Sequence, residues 1–165
     1  FVNSWGSSYL TEEIGLSLAA SGLVVAVFPG VGALSRVSSG LLSDRVFDGR
    51  RAPVFLGSFA VAAPLLLAFT RLGSVPLLVG VLFCAGFAIQ LTLGLSFTYV
   101  REVVEGNVAA TAVAFQTSVG LAGAFVSPIA GGAVVDAAGF AVAFLLAGTL
   151  AVAGVALAWQ MPEPA

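Results

Sequence analysis

Residues 40–51 read GLLSDRVFDGRR and separate two long apolar runs. This segment holds three of the six arginines and two of the eight acids of the chain. Such a concentration of charge is stable in water or among lipid headgroups but not in hydrocarbon. The segment therefore predicts a tight turn at a membrane surface that joins two membrane helices.

The composition of the whole chain agrees with a membrane protein. Hydrophobic residues make up 59% of the 165 residues, charged residues make up 8%, and the mean hydropathy is +1.11. A soluble domain usually carries about 25% charged residues. The net charge is −2 and there is no basic stripe, which argues against a nucleic-acid partner.

The sequence offers little for catalysis. Lysine and histidine are both absent. No nucleophile–base pair, metal-ligand cluster or phosphate-binding loop can be recognised. We therefore predict that the protein is not an enzyme and needs no metal or cofactor.

Uncharged runs mark the predicted membrane spans. A membrane helix needs roughly 20 apolar residues at about 1.5 Å each to cross about 30 Å of hydrocarbon. Five runs predict one all-α domain over residues 1–165, an antiparallel bundle of five complete transmembrane helices preceded by the end of a sixth at 1–5. A loop is predicted to begin at Gly6. The five helices are expected at about residues 16–42, 52–70, 75–99, 107–134 and 139–160.

Short connections between the spans make the sides of the membrane alternate. Arg45, Arg50, Arg51 and Arg101 fall on one side, and Arg71 falls on the other with three acids. Arginines in short loops mark the cytoplasmic side. The bias predicts a multi-pass protein of the cell membrane, with the 43–51 turn and the C-terminus in the cytoplasm.

The charged segment resembles the signature loop of the major facilitator superfamily, G-x-L-x-D-R-x-G-R-R, which joins two membrane helices. The residues that carry this resemblance are Gly40, Asp44, Arg45, Gly49, Arg50 and Arg51, with Phe47 and Asp48 as two extra residues. The resemblance implies a gating role. Asp44 would face the positive end of a neighbouring helix, and the arginines would pair with acids or lipid phosphates. The other interpretation is a solvated turn that only fixes the topology.

A second resemblance lies in the glycine-rich segment 120–140, which is similar to helix five or helix eleven of the same superfamily. Pro128, Gly131 and Gly132 are its predicted kink and packing residues, and Pro29 is predicted to kink the first complete helix. Residues 77–100 carry no charge, and the chain stops soon after its last apolar run. Both features favour the C-terminal half of a transporter, with a missing N-terminal half as partner. The alternative is the N-terminal half.

Polar side chains inside the spans are candidates for substrate contact, because this superfamily is expected to bind substrate near the membrane midplane. Gln90 and Gln116 lie inside predicted helices, and Asn3 lies in the truncated one. A buried glutamine needs either a helix neighbour or a ligand as hydrogen-bond partner. Arg36 is a charge inside an apolar run. It is either a structural or gating residue near the cytoplasmic surface or an anion-binding residue.

These patterns predict secondary active transport of a small solute by alternating access. The expected partners are a small-molecule substrate, with or without a coupling ion, the lipid bilayer and the second half of the transporter. The alternative is a membrane scaffold or regulatory half-protein that transports nothing.

Overall fold

The computed structural model describes residues 2–163, and it confirms an all-α membrane protein. These residues contain no strand. The helices are α1 (Val2–Glu12), α2 (Leu18–Gly30), α3 (Gly32–Val46), α4 (Ala52–Ala68), α5 (Val75–Val103) and α6 (Ala109–Trp159), with a 3₁₀ turn at Phe69–Arg71. The stretches of the described chain that are long and apolar enough to cross a membrane are Leu18–Val46, Ala52–Arg71, Val75–Val103 and Ala109–Trp159.

α2 and α3 are two segments of one membrane span that meet at Val31. Pro29 has no N–H to donate, so the helix loses a hydrogen bond shortly before the junction. Val31 nevertheless keeps φ −75° and ψ −5°, and its N–H donates to the carbonyl of Val27 at 3.3 Å. The chain therefore crosses the junction without turning back.

Gly139 divides α6 into two arms. Its φ of 81° and ψ of 170° are open to glycine but not to other residues. The arms face each other across a cavity of about 210 Å³, which is lined by Ser127, Ala130, Gly131 and Val134 before the break and by Ala143, Leu146, Ala147 and Leu150 after it. In one straight helix Ser127 and Leu150 would lie about 35 Å apart, yet both line this cavity. α6 is therefore a helical hairpin, and its two arms run antiparallel.

α1 continues past the point where the sequence predicted a loop. The prediction of a loop from Gly6 is wrong, because the helix runs to Glu12. Leu10 is completely buried, and the Thr11 hydroxyl donates to the Ser7 carbonyl at 2.9 Å. Apolar burial and local hydroxyl bonds hold this serine-rich stretch in the helix. Phe1, part of the predicted helix end, lies outside the described residues.

An aromatic cluster fills the end of the bundle that lies opposite to the charged turn. Phe69 and Phe144 stack with ring centroids 4.6 Å apart. The Tyr9 ring lies 5.4 Å from Phe69, 5.7 Å from Phe140 and 5.5 Å from Phe144. The cluster joins α1, the 3₁₀ turn and the second arm of α6 at this end.

Glycines of α5 let neighbouring helices approach at backbone distance. A Cβ atom at Gly86 would lie 2.6 Å from the carbonyl oxygen of Phe28 in α2, and one at Gly94 would lie 3.1 Å from Cα of Arg36 in α3. Helices in lipid associate through close packing of this kind, since no hydrophobic effect drives them together there. α2 and α3 therefore pack along α5 on a glycine-lined face.

We expect Gly86→Ala to destabilise the contact between α2 and α5. The added methyl group meets a main-chain oxygen that cannot rotate away, so the helices must separate, at a cost of about 1–3 kcal/mol. Gly80→Ala in the same helix is the matched control, because a Cβ at that position meets no atom within 4 Å. Thermal unfolding in detergent should show a lower midpoint for Gly86→Ala alone. Equal midpoints would contradict the tight packing.

Candidate functional site

The charged turn between α3 and α4 has a left-handed backbone at two consecutive residues. Asp48 and Gly49 have φ values of 52° and 81°. Glycine adopts this region freely, and aspartate is one of the few other residues found there. The Gly49 N–H donates to the Ser43 carbonyl at 2.9 Å. The extra residues Phe47 and Asp48 are thus accommodated in a tight turn, which brings Arg51 back against the end of α3.

Arg51 binds two carboxylates at once. Its Nε and Nη2 atoms donate to the two oxygens of Glu102, at 3.0 and 2.8 Å. Its Nη1 atom donates to Asp44 Oδ1 and to Ser43 Oγ, both at 2.7 Å. The hydrogen bond to Glu102, with a further contribution from Asp44, raises the pKa of the Arg51 guanidinium, although burial lowers it. A forked guanidinium is well suited to such a double contact.

Glu163 adds the segment after α6 to the same group of charges. Its carboxylate accepts the backbone N–H of Arg51 at 2.9 Å and that of Ala52 at 3.2 Å. These are N–H groups at the start of α4 that have no partner inside the helix. Glu163 also lies 3.6 Å from Arg50 Nε, and the neighbouring Pro162 carbonyl accepts the Tyr99 hydroxyl at 2.9 Å. The carboxylate caps α4 and complements the positive end of its dipole.

We call the side chains of Asp44, Arg50, Arg51, Glu102 and Glu163 the ionic cluster. It connects the end of α3, the start of α4, the end of α5 and the segment after α6. Asp44 is 61% exposed in its side chain, whereas Arg51 is only 12% exposed. Arg51 is therefore the least exposed member of the cluster, and Asp44 is at its accessible edge.

Sequence reasoning did not identify Glu102 or Glu163 as site residues. Both are acids on the predicted cytoplasmic side, where Arg50 and Arg51 also lie. This shared side was the one sequence feature that could have indicated them as partners of the arginines. Arg45, which the motif does include, is exposed and forms no ion pair within residues 2–163. Gly40 is half-buried, and a Cβ there would meet no atom within 4 Å.

Two of the substrate-contact candidates lie near each other where α3 packs on α5. The Nε2 atom of Gln90 would be 2.5 Å from a Cβ at Gly32, and Arg36 lies against Gly94. We call Gly32, Arg36, Gln90 and Gly94 the α3–α5 seam. Gln90 is 8% exposed and Arg36 is exposed. Gln90 lies level with Gly32, and Arg36 lies level with Gly94. Gly32 and Arg36 are four residues apart in α3, so Gln90 and Arg36 are separated by about one helical turn along the bundle.

Asn3 and Gln116, the remaining substrate-contact candidates, lie on other helices. Asn3 is exposed on α1. Gln116 is half-buried in the first arm of α6, and its Oε1 atom is buried with no hydrogen-bond partner in the described part of the chain. The structure therefore does not bring the four polar candidates together in one group.

The predicted kink residues of α6 lie where α1 contacts this helix. The Trp5 indole N–H donates to the Pro128 carbonyl at 2.9 Å. The Trp5 ring also covers Gly132, where a Cβ would lie 2.5 Å from Cζ2 of the ring. Gly131 faces the second arm of α6. A side chain at Gly132 would displace Trp5 from this contact.

Comparison with known proteins agrees with this helical membrane architecture. The family model of the Major Facilitator Superfamily matches residues 1–165, and the chain belongs to that family. The membrane sensor protein UhpC of Salmonella typhimurium (strain LT2) and that of Escherichia coli (strain K12) are each 33% identical to it over 55 residues. That segment is 33% of this chain but only 12% of each relative. No solved structure matches.

We expect Glu163→Ala to loosen the start of α4. Its first N–H groups lose their acceptor, which should cost about 1 kcal/mol and increase local opening about fivefold. Hydrogen–deuterium exchange of a peptide covering residues 50–56 measures this directly. Glu105→Ala is the control, because Glu105 is exposed at the same end of the bundle and forms no ion pair within the described chain. Equal exchange in both variants would contradict the capping role.

Proposed function

We propose that this chain is one half of a secondary transporter, which moves a small solute across the cell membrane by alternating access. Membership of the Major Facilitator Superfamily supports membrane transport. The observation that carries the finer proposal is the ionic cluster at one end of the bundle. The guanidinium of Arg51 binds Asp44 of α3 and Glu102 of α5, and its backbone N–H binds Glu163 after α6.

The cluster would act as a latch on the cytoplasmic side. Alternating access requires each half to move largely as a rigid body around a fixed substrate site. Arg51 keeps the ends of α3 and α5 together, and Asp44 leaves an exposed carboxylate edge that a second half could contact. When such contacts form, this side is closed; when they break, it opens.

The distribution of charge supports this orientation. Arg45, Arg50, Arg51 and Arg101 are at the end of the bundle that holds the ionic cluster. At the other end, Glu13 and Arg71 line a cavity of about 460 Å³ together with Gly139. Arginine-rich short loops favour the cytoplasm, so we place the 43–51 turn and the segment after α6 there.

We assign the chain to the C-terminal half of the transporter. In this superfamily an arginine-containing motif is expected in helix four of the N-terminal half, whereas residues 77–100 carry no charge. The N-terminal half then supplies the other wall of the substrate site and, if transport is proton-coupled, the titrating carboxylate.

A second candidate function is a membrane sensor or regulatory half-protein that transports nothing. The observation in its favour is that both similar proteins carry the name membrane sensor protein. Uptake and efflux of a panel of labelled small solutes by cells producing the intact protein separate the two functions. Flux that is lost in Arg51→Gln at equal protein levels supports the transporter.

We expect Asp44→Asn to open the cytoplasmic side, because a neutral amide binds a hydrogen-bond donor of the second half, and Arg51, less strongly than a carboxylate does. The readout is labelling of a cysteine introduced at Ala33 by a membrane-impermeant maleimide, applied to inside-out vesicles. Cys84, the one cysteine of this sequence, is replaced by serine in all variants. Ala33 lies on the exposed part of α3, one turn before Arg36. Labelling should rise several-fold.

The matched control for this experiment is Asp48→Asn in the same turn. Asp48 is exposed and forms no ion pair within residues 2–163, and asparagine also tolerates its left-handed backbone. Labelling should stay at the wild-type level in this variant. If Asp44→Asn also leaves the labelling unchanged, the latch proposal fails.

A further inference from the structure

Arg36 places a positive charge deep within a membrane span. It precedes Asp44 by two helical turns in α3, which corresponds to about 12 Å along the axis. Asp44 belongs to the ionic cluster and therefore marks the polar surface of the membrane. Since the hydrocarbon is about 30 Å thick, the Cα atom of Arg36 lies near its midplane.

No acid of the described chain neutralises Arg36. The carboxylates closest along α3 and α5, those of Asp44 and Glu102, are both bound by Arg51. Arg36 forms no ion pair within residues 2–163, and its side chain is exposed. An unpaired guanidinium is costly at this depth. An anionic partner from outside these residues would stabilise the guanidinium.

Arg36 lies at the border between the buried and the exposed face of α3. At about 100° per residue, it lies about 60° from Ser39, which is buried, and about 60° on the other side from Ala33, which is exposed. The Arg36 backbone packs closely against Gly94 of α5, where an added Cβ would lie 3.1 Å from the Arg36 Cα atom. Arg36 thus lies on the α3–α5 seam, as Gln90 does.

The seam supplies a second hydrogen-bond donor one turn away. The amide nitrogen of Gln90 lies close to Gly32, four residues before Arg36. The Ser39 hydroxyl also lies close to Arg36, but it already donates its hydrogen to the Arg36 carbonyl at 2.7 Å. A guanidinium fork and an amide N–H₂ together form a donor set suited to the oxygens of an oxyanion.

We propose that Arg36 binds an anionic oxyacid group, a carboxylate or a phosphate, of the transported solute, with Gln90 as an accessory donor. This inference rests on the proposed transport function and adds the substrate class to it. An ion pair between Arg36 and a carboxylate of the second half is the competing explanation. Such a pair would fill the site without any ligand.

The test is ligand-dependent thermal unfolding of the intact protein in detergent, with acetate and inorganic phosphate as probes and chloride at equal ionic strength as reference. We expect one or both oxyanions to raise the unfolding midpoint of the wild type. Arg36→Gln should weaken the apparent affinity about 10- to 100-fold, since hydrogen bonds to charged groups are lost. The apparent affinity of Arg36→Lys should lie between those of the wild type and Arg36→Gln, because lysine keeps the positive charge but not the forked guanidinium.

Arg71→Gln is the matched control, an exposed arginine at the opposite end of the bundle, and it should respond as the wild type does. The difference between the acetate and phosphate arms identifies the preferred group. The inference is overturned if neither oxyanion stabilises the wild type, or if Arg36→Gln and Arg36→Lys both bind as tightly as the wild type. The maleimide labelling of Asp44→Asn needs no ligand, so it tests the latch independently. If that labelling increases but no oxyanion shifts the unfolding midpoint, the anion site is rejected and the latch is retained.

Discussion

The guanidinium of Arg51 organises the charged end of this bundle. It reaches Glu102 on α5 through two parallel hydrogen bonds and Asp44 on α3 through a third. Its own backbone N–H is held by Glu163, beyond the end of α6. Such a bidentate network with a largely buried centre is stronger than isolated surface ion pairs, which contribute little. Four helical elements therefore share one electrostatic anchor, on the side where the chain carries most of its arginines.

Within the membrane a different constraint operates. Lipid tails are as apolar as leucine, so helices are held together by close packing instead of by exclusion of water. Gly86 and Gly94 let the backbones of α2 and α3 approach α5, and Gly132 accepts the ring of Trp5. The same close approach aligns Arg36 and Gln90 on one seam. The packing that stabilises the bundle therefore also positions the two polar groups that we propose as contacts of a solute.

The fold class could be predicted from the sequence because uncharged runs in a chain with only 8% charged residues have few alternatives to membrane helices. The loop expected at Gly6 shows the limit of that reasoning. Serine and glycine look like loop residues in isolation, but the burial of Leu10 and the bond from Thr11 to Ser7 keep them helical. Of the ionic cluster, Asp44, Arg50 and Arg51 could be identified from the motif. Glu102 and Glu163 could not, because their distances to Arg51 depend on how the helices pack.

By itself the sequence determined a membrane protein, the positions of its charges along the chain and the signature turn with a glycine at residue 49. These follow from local chemistry: hydrocarbon excludes charge, and a backbone with φ of 81° favours glycine. Only the tertiary structure decided which acids Arg51 binds and what caps α4. It also decided that Arg36 has no internal counter-ion among residues 2–163. The reason is that an ion pair depends on distances of a few ångströms between residues that are 51 to 112 positions apart in the chain.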